Sequence, residues 1–311
     1  MRLLLRRVVP WVGLPCVFVG ACLPSYSFSS SPDGVDASMD TSIDTSADAS
    51  IDAGPDTFGR TADATTDVVS DGTPQGAAEA GGCPQGRGST MVRIDAPAAS
   101  FCIDRYEATN ADFNAYLHDP NAVFQAPSMC SSLATSWPTP VDGMDTLPVV
   151  SLALCHAWSY CLWAGKRLCS SIGGPDAGRA TAGDDLSNEW IYACQNGTHA
   201  FEFGYGATYV TGECNVPDPE AGMDGDAAVP PGGFAACHGV LDGGFAQIFD
   251  MSGNVSEYDD WASAYDAGSA GTQSRGGSWM FANGQCSQTI GFGVLGGFGD
   301  VGFRCCADVA P

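Results

Sequence analysis

Phe249-Asp-Met-Ser-Gly-Asn-Val-Ser-Glu-Tyr-Asp-Asp-Trp261 decides how the chain is read, and Ser274-Arg-Gly-Gly-Ser-Trp279 and Val301-Gly-Phe-Arg304 follow it. Asp250 and Glu257 bracket Gly253, whose missing Cβ permits the backbone angles of a sharp turn. Carboxylates together with turn carbonyls suit a hard cation such as calcium. The Asp-x-Asp-x-Asp-Gly spacing of an EF-hand is absent. A solvated acidic surface turn has the same composition, so the residues alone leave both readings open.

Outward from this stretch, composition divides the chain of 311 residues into an N-terminal tail and one domain. Residues 1–21 read as an export signal, with Arg2, Arg6 and Arg7 before an apolar run too short to span a bilayer comfortably. Val19-Gly-Ala-Cys22 resembles a bacterial lipobox, which makes Cys22 the expected lipidation site and the membrane an expected partner. An ordinary cleaved signal with an incidental cysteine is the alternative. Residues 23–82 are rich in Ser, Thr, Asp and Ala. Asp36, Asp40, Asp44, Asp48, Asp52 and Asp56 recur every fourth residue. On a helix these like charges would line one face and oppose it, and the segment lacks apolar surface to offset chain entropy. A flexible, self-repelling tether is expected.

Residues 83–311 hold twelve of the 14 cysteines. An even set in an exported chain reads as a disulfide framework. Zinc is disfavoured, because there is no C-x-x-C pair and His118, His156, His199 and His238 are scattered. A formal net charge of -24 leaves no basic patch for phosphates, so a nucleic-acid partner is excluded.

Residues 89–95 and 101–106 alternate well enough for two strands. Thr109 has the features of a helix N-cap, with Asp112 completing an approximate capping box and Phe113, Tyr116 and Leu117 forming an apolar stripe. Between Pro120 and Pro148 the Pro, Ser and Gly content reads as loop. Leu154, Ala157, Trp158, Cys161 and Leu162 then mark an amphipathic helix ending near Gly165. Trp158 and Trp163 read as packing residues rather than a ligand cage. Gly291-Phe-Gly-Val-Leu-Gly296 satisfies G-x-G-x-x-G, but more glycines follow where a dinucleotide site needs a helix.

Taken in order, FCIDRYEATNADFNAYL, YCLWAGKRL, NEWIYAC, DMSGNVSEY, RGGSW and VGFR resemble the sulfatase-modifying-factor family, which includes the formylglycine-generating enzymes. The resemblance runs roughly from Cys83 to Asp308. It implies an α+β fold, similar to C-type lectins, with little regular secondary structure. Residues 173–187 look like an inserted glycine-rich loop. Cys155 and Cys169 stand where the family often has aspartate and proline, which suggests extra staples. The resemblance implies two calcium sites. Asn215 and Asp224 would give side-chain oxygens and Val216 and Asp226 carbonyls to the first. Asp250 and Glu257 would give side-chain oxygens, and Gly253 and Val255 carbonyls, to the second.

Family enzymes convert a substrate cysteine to formylglycine with molecular oxygen and a copper ion held by two thiolates, and soft thiolates suit Cu(I). The family pattern is R-G-G-S-W-x-C-x-x-x-x-C. This chain reads Arg275-Gly-Gly-Ser-Trp-Met-Phe281-Ala-Asn-Gly-Gln-Cys286, so Phe281 occupies the first thiolate position and Cys286 the second. Phenylalanine cannot ligate copper, and Cys286 belongs to an even set of cysteines. Copper is therefore not expected, and Cys286 is a catalytic candidate only if its thiol is free. Three classes of function remain. The first is a lipid-anchored, calcium-stabilised module that binds a protein or carbohydrate or acts as a scaffold. The second is a formylglycine-generating enzyme that uses Cys286 with an unidentified partner. The third is another oxidoreductase of the wider family, whose iron branch needs a histidine cluster that these spacings do not suggest.

Overall fold

The computed structural model describes residues 82–133, 138–139, 142–174, 185–218, 227–264, 270–281, 284–293 and 296–310. The segment read as an export signal, Cys22 and the residues up to 81 lie outside the described residues, as do most of the loop read as an insertion and both Asp224 and Asp226. The described residues fall within one compact unit, Val68–Pro311.

The architecture is α+β with short elements. Strands β1 (Met91–Ile94) and β2 (Phe101–Asp104) pair antiparallel, as their alternation predicts. Helix α1 (Asn110–His118) begins at Thr109. The Thr109 side chain accepts from the Asp112 N–H, and the Asp112 carboxylate accepts from the Thr109 N–H, which completes the box. A 3-10 segment, Ser128–Leu133, lies in the loop that follows. Helix α2 (Leu154–Trp163) ends where Gly165 takes φ +75°, a left-handed conformation that favours glycine. Strand β3 (Arg167–Leu168) and helix α3 (Glu189–Cys194) complete the first half.

The C-terminal half supplies strands β4 (Ser256–Ala264), β5 (Ala270–Arg275), β6 (Thr289–Gly293), β7 (Val301–Phe303) and β8 (Cys305–Asp308). Two four-stranded sheets result, ordered β1-β2-β8-β3 and β6-β5-β4-β7. β8 therefore returns from the end of the chain to lie between β2 and β3. β4 pairs parallel with β7, so Glu257 faces Gly302 across the ladder. Gly291 and Gly293 belong to β6, a sheet strand paired with β5, and not to a strand-helix turn.

One apolar cluster gathers Phe113, Tyr116, Leu154, Tyr160, Leu168 and Phe303. A second gathers Ile94, Phe101, Ile103, Trp190, Ile191 and Ile248. Successive side chains of a strand point to opposite faces. Accordingly Cys305 belongs to the first cluster and its neighbour Cys306 to the second.

All twelve domain cysteines pair. The six disulfides are Cys83–Cys102, Cys130–Cys155, Cys161–Cys305, Cys169–Cys306, Cys194–Cys286 and Cys214–Cys237. Cys155 and Cys169 are indeed staples. Such a framework belongs to an oxidising, extracellular type of environment. Among the described residues no helix is long and apolar enough to cross a membrane.

Candidate functional site

The acidic turn of residues 249–257 is buried, not solvated. Asp250, Asn254 and Glu257 are each at most 1% exposed. The backbone reaches this geometry through three positive φ angles, at Asp250 (57°), Gly253 (82°) and Asn254 (57°). Gly253 is required for a second reason, since a Cβ there would collide with Asn215 O and Val216 Cγ2. The Asn254 N–H donates to Asn215 O at 2.9 Å, and the Asn215 amide donates to Asn254 Oδ1 at 3.1 Å. The loops expected to form two separate cation sites thus pack directly against one another.

Beneath the turn lies a charged cluster. Glu107, at the end of the segment after β2, accepts from Asn254 Nδ2 at 2.6 Å and from the Val255 N–H at 3.1 Å. Arg304, fully buried between β7 and β8, donates through Nε and Nη2 to both oxygens of Glu257 at 2.7 and 2.6 Å. Its remaining donors reach the carbonyls of Asp104, Arg105 and Phe249. Trp190 Nε1 adds a bond to Glu257 Oε2 at 2.8 Å. Asp250 Oδ2 accepts from the Gly232 N–H at 2.5 Å, but Oδ1 is buried without a hydrogen-bond partner. Nearby, Lys166 pairs with Asp104 at 2.6 Å, both buried.

Three carboxylates therefore face one guanidinium. Burial pushes the Asp250 carboxyl up to about 6, against the Gly232 hydrogen bond and the charge of Arg304. Glu107 is held well above the usual carboxylate range, first by burial and then by the charges of Asp250 and Glu257. Burial likewise raises Asp104 to about 6, with Lys166 opposing. Burial alone would lower the Arg304 pKa. Glu257, together with the charges of Glu107 and Asp250, outweighs it and raises the value, which keeps the guanidinium charged.

Of the residues expected at the second calcium site, Asp250 brings an unpartnered buried oxygen. The carbonyls of Gly253 and Val255 accept no hydrogen bond among the described residues. These three fit a hard cation, which wants oxygen ligands. Glu257, expected to give the fourth, has both oxygens engaged by Arg304 and Trp190. At the first site, Asn215 directs its amide nitrogen to Ala227 O and Asn254, while Val216 adjoins it. Among the described residues no three His, Cys, Asp or Glu side chains gather in an arrangement that could hold a metal by themselves.

Glu107 and Arg304 were not singled out from sequence as site residues. The sequence signal is weak: Arg304 closes the apolar Val-Gly-Phe run, and Glu107 follows Phe-Cys-Ile-Asp-Arg-Tyr, in which charged residues adjoin apolar ones and need partners once buried.

The RGGSW segment ends β5. Arg275 pairs with Asp259, both buried, and Ser278 Oγ donates to Asp300 at 2.7 Å. Cys286 is fully buried and bonded to Cys194 of α3. A model of the sulfatase-modifying factor enzyme 1-like domain matches residues 55–309. The chain belongs to this family. No curated protein matches it. Among solved structures it is similar to CarF, at 17% identity with a TM-score of 0.46, covering 72% of this chain and 97% of that one. It is similar to Treponema denticola variable protein 1 at 15% identity and a TM-score of 0.40, covering 71% and 92%. PvdO from Pseudomonas aeruginosa matches at 18% identity and a TM-score of 0.43, covering 71% and 92%. The family match begins at residue 55, upstream of Cys83. On the sulfatase-modifying-factor pattern, the position of the first copper thiolate is Phe281, half-buried after β5, and the second is Cys286, whose sulfur is already bonded. Neither residue fits copper.

Proposed function

We propose that this sulfatase-modifying-factor domain is a calcium-stabilised binding or scaffold module, exported and lipid-anchored through Cys22, rather than a formylglycine-generating enzyme. One observation carries the reading. The sulfur that the copper chemistry would need at position 286 is joined to Cys194, and the position of its partner is phenylalanine. Oxygen activation on copper needs two soft, deprotonated sulfur ligands, and a disulfide supplies neither.

Calcium supports the fold in this reading by neutralising buried carboxylate charge. Asp250 with the carbonyls of Gly253 and Val255 would hold it, with Asn215, Val216, Asp224 and Asp226 at the first site. The excess of carboxylate over guanidinium around Asp250 supports a divalent partner. The lipid anchor rests on the Val19-Gly-Ala-Cys22 pattern, and the six disulfides agree with export. The ligand is a protein or a carbohydrate. No nucleic acid is expected.

Peptide mapping of the alkylated, unreduced protein tests the central point, together with oxygen uptake in the presence of copper and a thiol peptide. Cys286 should appear unlabelled in a peptide linked to Cys194, with no copper-dependent oxygen uptake. A labelled Cys286 that supports such uptake would put an oxygen-dependent oxidoreductase, acting on a protein cysteine or a small substrate, in place of this reading.

A further inference from the structure

The described residues contain seven cationic side chains, and six of them pair with a carboxylate: Arg87, Arg93, Lys166, Arg167, Arg275 and Arg304. Arg105 is the exception. In a chain of net charge -24, carboxylates are plentiful, and yet its guanidinium meets none among the described residues. It is not simply trailing into solvent. Its central carbon lies 5.2 Å from the centroid of the Tyr106 ring and 5.2 Å from that of Phe249, and those two rings are themselves 5.3 Å apart. Nε is buried with no hydrogen-bond acceptor, while the residue as a whole stays part-exposed.

Two aromatic faces hold the guanidinium plane in place, and the backbone fixes the platform, since the Phe249 N–H donates to Arg105 O at 3.0 Å. His238 packs on Phe249 at 5.4 Å and extends the platform. A guanidinium fixed by stacking loses little freedom when its donors engage an acceptor. With Nε enclosed, the two Nη atoms are the donors left to meet one.

We propose that Arg105, seated on Tyr106 and Phe249, is the anion-recognising residue of a binding site for a ligand bearing a single carboxylate. Carboxylate matches the planar fork bidentately. The field of a strongly acidic chain disfavours a multiply charged oxyanion such as phosphate at the same place. Tyr106 also borders a cavity of about 440 Å³, lined by Ser89, Thr109, Asp112, Asp145 and Pro230 among others. The inference goes beyond the binding-module reading, which assigns no ligand contact. Its test does not depend on calcium or on the state of Cys286.

The test follows the Arg105 Nε–H signal of the full chain by NMR during titration with sodium glucuronate, glucose and inorganic phosphate. Glucuronate should shift it saturably and glucose, the same ring without the carboxylate, should not. Arg105→Gln should weaken the glucuronate response seen at neighbouring backbone amides by at least about tenfold. Absence of a saturable shift with glucuronate overturns the proposal, as does an unchanged response in Arg105→Gln. Phosphate saturating at lower concentration than glucuronate overturns the carboxylate assignment. The titration of the parent protein decides by itself if the variant fails to fold.

Discussion

At Asp250 a single oxygen carries the case for the proposed calcium site. Its Oδ2 is satisfied by the Gly232 N–H, and its Oδ1 is buried beside no donor. In chelator near neutral pH, Asp250→Asn is expected to melt no lower than the parent, because the amide removes a charge that burial opposes. Calcium at a hundredfold excess over its dissociation constant should stabilise the parent by about 3 kcal/mol and leave the Asn variant unmoved. Differential scanning calorimetry with and without chelator reads both effects. An equal calcium response in the two proteins removes Asp250 from the ligand set. Arg304 sits at the opposite pole. Its guanidinium neutralises Glu257 and closes three backbone carbonyls. Arg304→Ala strands a buried carboxylate and should cost about 3–5 kcal/mol in urea unfolding, whereas loss of an exposed pair such as Arg93–Asp95 should leave the unfolding midpoint nearly unmoved.

At the scale of elements, the turn between Phe249 and β4 is held by conformation as much as by charge. Gly253→Ala meets both a left-handed φ and the Asn215 carbonyl, so it should lose at least about 2 kcal/mol of stability in chelator as well as in calcium. A loss confined to calcium would mean that the turn relaxes freely without the cation. The elements legible from sequence are the local ones. Thr109 and Asp112 cap α1 three residues apart, and the apolar spacing from Leu154 to Leu162 marks α2, because a helix is specified by neighbours within two turns. The β6-β5-β4-β7 sheet was not legible. Its register depends on partners that composition does not name, and a bulge between Tyr258 and Ala262 breaks the alternation of β4. The candidate site followed the same division. Asp250, Gly253 and Glu257 stood out because they share one stretch. Glu107 lies 147 residues from Asn254 and Arg304 lies 47 from Glu257, so neither pairing leaves a trace in local spacing.

For the whole molecule, the buried carboxyls set the direction of its pH response. Asp250 and Asp104 rise from 3.8 to about 6, and Glu107 is raised further from its usual range, all chiefly by burial. A raised carboxyl binds its proton more tightly in the folded state. For Asp250 and Asp104 the resulting contribution is complete below about pH 4 and is lost as pH climbs through about 6, and Glu107 acts in the same direction. Asp95 and Asp119, lowered by hydrogen bonds, act in the opposite direction but only below that window. In chelator the domain should therefore lose on the order of a few kcal/mol between about pH 4.5 and about pH 7, and calcium should flatten that slope. Unfolding in urea at a series of pH values measures it, and a chelated protein most stable near neutrality contradicts the charge balance drawn above. The adjacent cysteines of β8 carry a consequence for biosynthesis. Cys305 reaches back to Cys161 in one apolar cluster and Cys306 to Cys169 in the other, across separations of 144 and 137 residues. Exchanging the two partners alters no loop length appreciably, so chain statistics give an unfolded precursor no preference between the two pairings. Only the facing of β8 in its sheet distinguishes them. An oxidant that acts before that strand is placed will join wrong sulfurs about as readily as right ones, and an oxidising compartment that folds this chain needs a shuffling catalyst beside its oxidase.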